Sequence, residues 1–77
     1  METSAIEELI RSGLPDAEVE VTGDGRHFEA AVVSAAFEGK ILIQRHRMVL
    51  ATVQAHIASD ELHALSITSA KTPAEIA

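Results

Sequence analysis

Two histidines stand at the mouths of apolar runs, His27 in GDGRHFEAAVV and His63 in HALSI. Imidazole titrates near neutrality and is the commonest metal-ligating side chain there. A lone histidine at a strand start is ordinarily a solvated edge residue, and that reading stands for either one taken singly. Two at corresponding strand starts can instead converge on one ligand if their strands are neighbours, because paired strands lie ~4.8 Å apart. Two imidazoles do not complete a metal site. A structural zinc takes four protein ligands, and a catalytic zinc usually takes three plus water. Asp24 and His46 are further donors, but no HExxH or comparable spacing enlists them. An open two-donor site is more naturally half of a shared one, with the remaining ligands brought by another protein.

A second constellation is basic. Lys40, Arg45, His46 and Arg47 gather four potential cations in a chain that is otherwise acidic. Charges beside an apolar stripe commonly form a solvated face; the functional alternative is a patch that meets phosphate, carboxylates or an acidic protein surface. His46 falls within the apolar stripe of an unbroken helix, where a partly buried imidazole with a backbone or carboxylate partner is expected. His56, at the edge of that stripe, is expected to meet solvent.

Composition narrows the classes. The chain has 77 residues and a formal charge of −6 from twelve acids and six bases. That length predicts a single domain over residues 1–77 with a thin core. The overall field repels a polyanion, so only a local basic patch could serve nucleic acid. There is no cysteine; no disulfide or thiolate enters the chemistry, which suits a cytoplasmic setting. METSAIEELI lacks a basic n-region and is not read as a signal peptide. No apolar stretch approaches the ~18 residues of a membrane span. P-loop, dinucleotide and nucleophile-elbow motifs are missing, as is a GxxG loop between two helices, and nothing marks an enzyme.

The elements that must position these residues follow from periodicity. Ser4 and Glu7 have capping-box spacing ahead of Ile6, Leu9 and Ile10, which share a helical face. Gly13, able to take a left-handed cap, ends that helix with Leu14 and Pro15. The alternation AEVEV over 17–21 predicts a half-buried strand, and Asp24-Gly25 a hairpin turn. HFEAAVVSA reads as a central strand covered on both sides, or as one with small residues under a helix. From Ile41 to Ser59 a helix is expected, with Leu42, Val49, Leu50, Val53 and Ile57 on one face; a break near Gln44–His46 is the alternative. Asp60 and Glu61 turn the chain into a third strand at HALSIT. Thr72, Pro73 and Glu75 then open a last helix. A right-handed crossover makes the second and third strands parallel. The expected fold class is therefore α+β, a three-stranded mixed sheet packed by helices on one face, with His27 and His63 at the same end.

VTGDGRHFEAAVVSAAFEGK, then LIQRHRMV, HALSI and TPAE, together resemble the BolA family, in particular its short bacterial BolA-like branch. FEGK followed closely by QRHR is a specific marker, reinforced by the HALSI–TPAE ending, and the likeness runs from about Ala5 to Glu75. The resemblance implies a class II KH-like fold of order α-β-β-α-α-β, the extra helix corresponding to the break near Arg45. It also implies a non-enzymatic adaptor in iron–sulfur trafficking and iron homeostasis. Such an adaptor would form a heterodimer with a monothiol (CGFS-type) glutaredoxin and share a 2Fe–2S cluster with it. The partner would bring a cysteine and glutathione, and no cofactor is expected in the isolated chain. His63 matches the family's principal ligand and His27 the second. Histidine ligation on one iron raises the potential relative to all-cysteine ligation. The alternative the resemblance implies is a DNA-binding regulator of stress and morphology responses, using the region of Lys40, Arg45, His46 and Arg47. Two departures are visible: Leu50 stands where relatives often carry a polar or aromatic residue, and the helix opened by TPAE stops where many continue through a tryptophan.

Overall fold

Helix α1 (Thr3–Gly13) buries Ile6 and Ile10 and turns Ser4, Glu8 and Arg11 outward, as their spacing dictates. The computed structural model describes residues 1–59, 62 and 64–77. Its helix begins earlier than the Ser4–Glu7 capping box requires: Glu2 is the N-cap, with no side-chain bond to the first turn. Glu7 is drawn elsewhere. It accepts the Val21 N–H at 3.0 Å and lies 3.9 Å from Arg11. A tertiary bond to a strand has displaced the local cap. The other end also differs from expectation. Gly13 is the last helical residue, not a left-handed cap, and Leu14 at φ −131° closes the helix. What Gly13 supplies is room, since a Cβ there would stand 2.5 Å from Thr52 Cγ2 of the facing helix.

Strand β1 (Glu18–Gly23) alternates as the sequence predicts, with Val19 half-buried and Val21 buried. Gly25 takes φ 98° in the turn, the conformation for which an Asp-Gly pair is suited. Strand β2 (His27–Val33) runs antiparallel to β1, with Gly23 paired to Phe28 and Glu18 to Val33. Phe28, Ala30 and Val32 are buried under the helices, while Ala31 and Val33 are half-covered. Of the two readings of this strand, small residues beneath helices is the one realised.

A 3-10 turn (Ala35–Phe37) leads to α2 (Leu42–Ala58). Ser34, fully buried, anchors the turn: its Oγ donates to Asp16 Oδ1 at 2.8 Å and accepts from the Ala36 N–H, and Asp16 Oδ2 accepts the Ala35 N–H at 2.7 Å. Those donors hold the Asp16 carboxyl below its usual range. Helix α2 runs unbroken through Gln44–His46. The short helical member of the α-β-β-α-α-β order is thus the 3-10 turn before Glu38, not a break near Arg45. Val49 and Val53 are buried as expected and Ile57 packs against the core, but Leu42, in the first turn of α2, is 60% exposed.

Strand β3 (Ala64–Lys71) pairs parallel with β2, giving sheet order β1-β2-β3, and α3 (Pro73–Ile76) closes the chain. A bulge interrupts the β2–β3 register, with Ala30 opposite Ile67 but Ala31 opposite Ser69. The extra residue, Thr68, donates its hydroxyl to the Ala30 carbonyl at 3.2 Å. The core gathers Ile6 and Ile10 of α1, Phe37, Val49, Val53 and Leu62 against the helix-facing side of the sheet. Helices on one face of a mixed three-stranded sheet make this an α+β fold.

Candidate functional site

The parallel pairing sets His27 opposite Ala64, the residue that follows His63 in the sequence. His63, the expected principal ligand, lies outside the described residues. His27 is the first residue of β2, and its side chain is 79% exposed. The turn before it is tied by one carboxylate. Asp24 Oδ1 accepts the N–H groups of Arg26 and His27, both at 2.9 Å, and the Asp24 N–H donates back to the His27 carbonyl at 3.3 Å. Asp24 Oδ2 lies 4.0 Å from His27 Nδ1. The two backbone donors, and then the imidazole, hold the Asp24 carboxyl below its usual range. His27 is therefore an exposed imidazole on a turn tied by Asp24, with Nδ1 4.0 Å from a carboxylate oxygen.

A self-contained metal site is a different matter. Among the described residues no three His, Cys, Asp or Glu side chains come together. His46 does not join His27 and Asp24; it lies half-buried on the first turns of α2. The donor set fits a group whose other ligands arrive from outside: one borderline-soft imidazole, sterically open, at the end of a strand pair.

The basic cluster divides. Arg45 turns inward, its side chain 13% exposed. Its Nε donates to the Lys40 carbonyl at 2.9 Å, and Nη1 donates to the Ala70 carbonyl at 3.0 Å and to Glu75 Oε1 at 2.6 Å. The guanidinium also stands 5.9 Å from the centre of the Phe37 ring. Glu75 in turn accepts the Thr72 N–H at 2.7 Å. Arg45 first, and Thr72 next, lower the Glu75 carboxyl to about 2. Lys40 and Arg47 remain outward and exposed. The Thr72–Glu75 cap is legible as a motif; its union with Arg45, across the sheet order, carries no local signal. His56 is half-buried, with its carbonyl accepting the Leu62 N–H.

Comparison with known proteins agrees with this fold. The family described as "BolA: BolA-like protein" matches residues 10–75. The chain is 36% identical over 75 residues to "Acid stress protein IbaG" of Escherichia coli (strain K12), covering 97% of this chain and 88% of that one. The solved structure of a bolA protein homologue from Coxiella burnetii superposes with a TM-score of 0.88 at 40% identity, over 99% of this chain and 96% of that one. The BolA domain of SufE1 from Arabidopsis thaliana gives 0.80 at 40% identity, over 95% and 93%.

Proposed function

The chain belongs to the BolA-like family, and from that premise we propose that it is a non-enzymatic, cytoplasmic adaptor that shares a 2Fe–2S cluster with a monothiol glutaredoxin. The observation that carries this reading is the β2–β3 register, which sets the exposed His27 opposite the residue next to His63. Two imidazoles supplied this way leave a cluster's remaining positions to a partner's cysteine and glutathione. Bound there, the cluster would supply one-electron redox chemistry or be the cargo itself, with histidine ligation raising its potential. The chain's own part is to orient donors: Asp24 holds the turn and faces Nδ1, so that Nε2 of His27 is the atom offered.

The test is reconstitution of the cluster on this protein mixed with a monothiol glutaredoxin, followed by visible circular dichroism and electron paramagnetic resonance. A histidine-perturbed spectrum is expected, lost most severely in His63→Ala and partly in His27→Ala. Unchanged spectra in both single variants would sink the ligand assignment.

Duplex binding is the weaker reading. With Arg45 engaged by Glu75 and Ala70, it rests on Lys40 and Arg47 against a net charge of −6. Phosphate contacts from so few cations supply little affinity. A duplex retarded at low salt and released by Arg47→Glu would restore it.

A further inference from the structure

Helix α2 lacks the outer face of an ordinary surface helix. In α1 the exposed positions are Ser4, Glu8, Arg11 and Ser12. In α2 they include Ile43, Gln44, Arg47, Ala51, Gln54, Ala55 and Ala58, which fall on one side at about 100° per residue. Only one of those seven, Arg47, is charged. Along one margin of this face Leu50 and Ile57 are half-buried, and the helix starts in a run of exposed apolar residues, with Ile41 at 64%, Leu42 at 60% and Ile43 at 53%. A surface helix ordinarily carries charged and polar residues on its outer face; the outer face of α2 carries mostly small and apolar ones, and among the described residues the sheet and α1 cover only its inner side. Contiguous exposed apolar surface rimmed by polar groups marks an interaction site.

Charge restricts the occupant. All twelve acids lie outside residues 39–59, so this segment is the positive pole of an acidic chain. Its outward cations are Lys40, one residue before the apolar run, and Arg47, in the middle of the face. A second copy of α2 would set these cations against their own kind. Phosphate backbones want a row of cations, and apolar side chains separate these two. Shape restricts it further. Arg47, Leu50, Ala51, Gln54 and Ile57 line a shallow trough of about 340 Å³. Ala51, Ala55 and Ala58, spaced by four and three, let another helix axis approach closely.

We propose that the outer face of α2 docks an amphipathic α-helix of a protein partner, with apolar residues at three–four spacing in the trough and flanking Asp or Glu on Lys40 and Arg47. This face lies on the helix layer and needs neither histidine, so it stands apart from the cluster reading.

The test uses the 15N-labelled 77-residue chain and a synthetic helical peptide carrying leucines at three–four spacing with glutamates on both flanks. Its controls are the same composition scrambled, a copy with lysines replacing the glutamates, and a short DNA duplex. Saturable amide shifts confined to α2 between Ile43 and Ala58 are expected with the acidic amphipathic peptide alone. Ala51→Glu, at an exposed position that leaves the core intact, weakens binding by roughly tenfold or more. Arg47→Glu weakens it too and transfers preference to the lysine peptide, a swap that mere loss of folding cannot produce. Equal binding of the scrambled peptide, shifts centred on another surface, or binding of the duplex in place of the peptide would each overturn the proposal. Concentration-dependent shifts on this face without peptide would assign it to a second copy instead.

Discussion

At the scale of single residues, two carboxylates decide how the histidine end and the basic cluster behave. Asp24 organises the turn before His27 through Oδ1, which accepts two backbone N–H groups. Asp24→Ala should therefore speed hydrogen exchange at the Arg26 and His27 amides, whereas Asp24→Asn, which keeps an acceptor oxygen, should leave them protected; amide exchange by NMR separates the two. Glu75 is ionised more readily in the fold than in an unfolded chain, since its carboxyl falls from 4.5 to about 2. Its stabilising contribution is complete above about 4.5 and is lost as pH falls from there toward about 2. The Glu75 carboxyl carbon, followed by NMR, should titrate near the lower value, and Arg45→Met should return most of the shift. The histidines were legible as candidates from their types and positions alone. The inward turn of Arg45 was not, because its partners Ala70 and Glu75 are brought to it only by the completed sheet.

At the scale of elements, the contact of α1 with α2 turns on Gly13. Alanine in place of a helical glycine ordinarily adds up to about 1 kcal/mol of helix stability. Here the new Cβ would stand 2.5 Å from Thr52 Cγ2, and forced overpacking of this kind costs typically about 1–3 kcal/mol. Gly13→Ala should then lower the thermal midpoint. Thr52→Ser, which removes that methyl, should reverse the sign, so that Gly13→Ala in the Thr52→Ser background is neutral or stabilising; calorimetry on the four proteins measures this. Strand alternation, the Asp-Gly turn and the α2 stripe from Val49 to Ile57 read correctly from local pattern, whereas Leu42, expected on that stripe, is exposed. The α1 ends did not, because Glu7 found a strand amide and Gly13 a neighbouring helix. Both are tertiary overrides of local capping chemistry.

At the scale of the whole molecule, a chain of 77 residues has little stability to spare. Native domains hold roughly 0.05–0.15 kcal/mol per residue, or about 4–12 kcal/mol here. Phe37 is fully buried and among the largest buried side chains, and it lies beneath the Arg45 guanidinium. Truncation of such a residue costs typically about 3–5 kcal/mol. Phe37→Ala should move the urea midpoint sharply downward at unchanged slope, as read by circular dichroism. The same economy bears on the outer face of α2, since a small domain that leaves an apolar helix face uncovered gives up burial it could otherwise use.

What the amino-acid order by itself determined was the set of elements and their sequence: side-chain periods of 2 and 3.6 are local properties, and the right-handed crossover rule then makes β2 and β3 parallel. It likewise marked His27, His63 and the cations from Lys40 to Arg47 as groups capable of chemistry. Only the tertiary structure decided which of these groups remain available. It set the exposed His27 opposite Ala64, turned Arg45 to Glu75, and among the described residues covered one side of α2 while leaving the other exposed. The reason is physical: a side chain's availability depends on which partners the packed chain brings within bonding distance, and those partners lie far away in sequence.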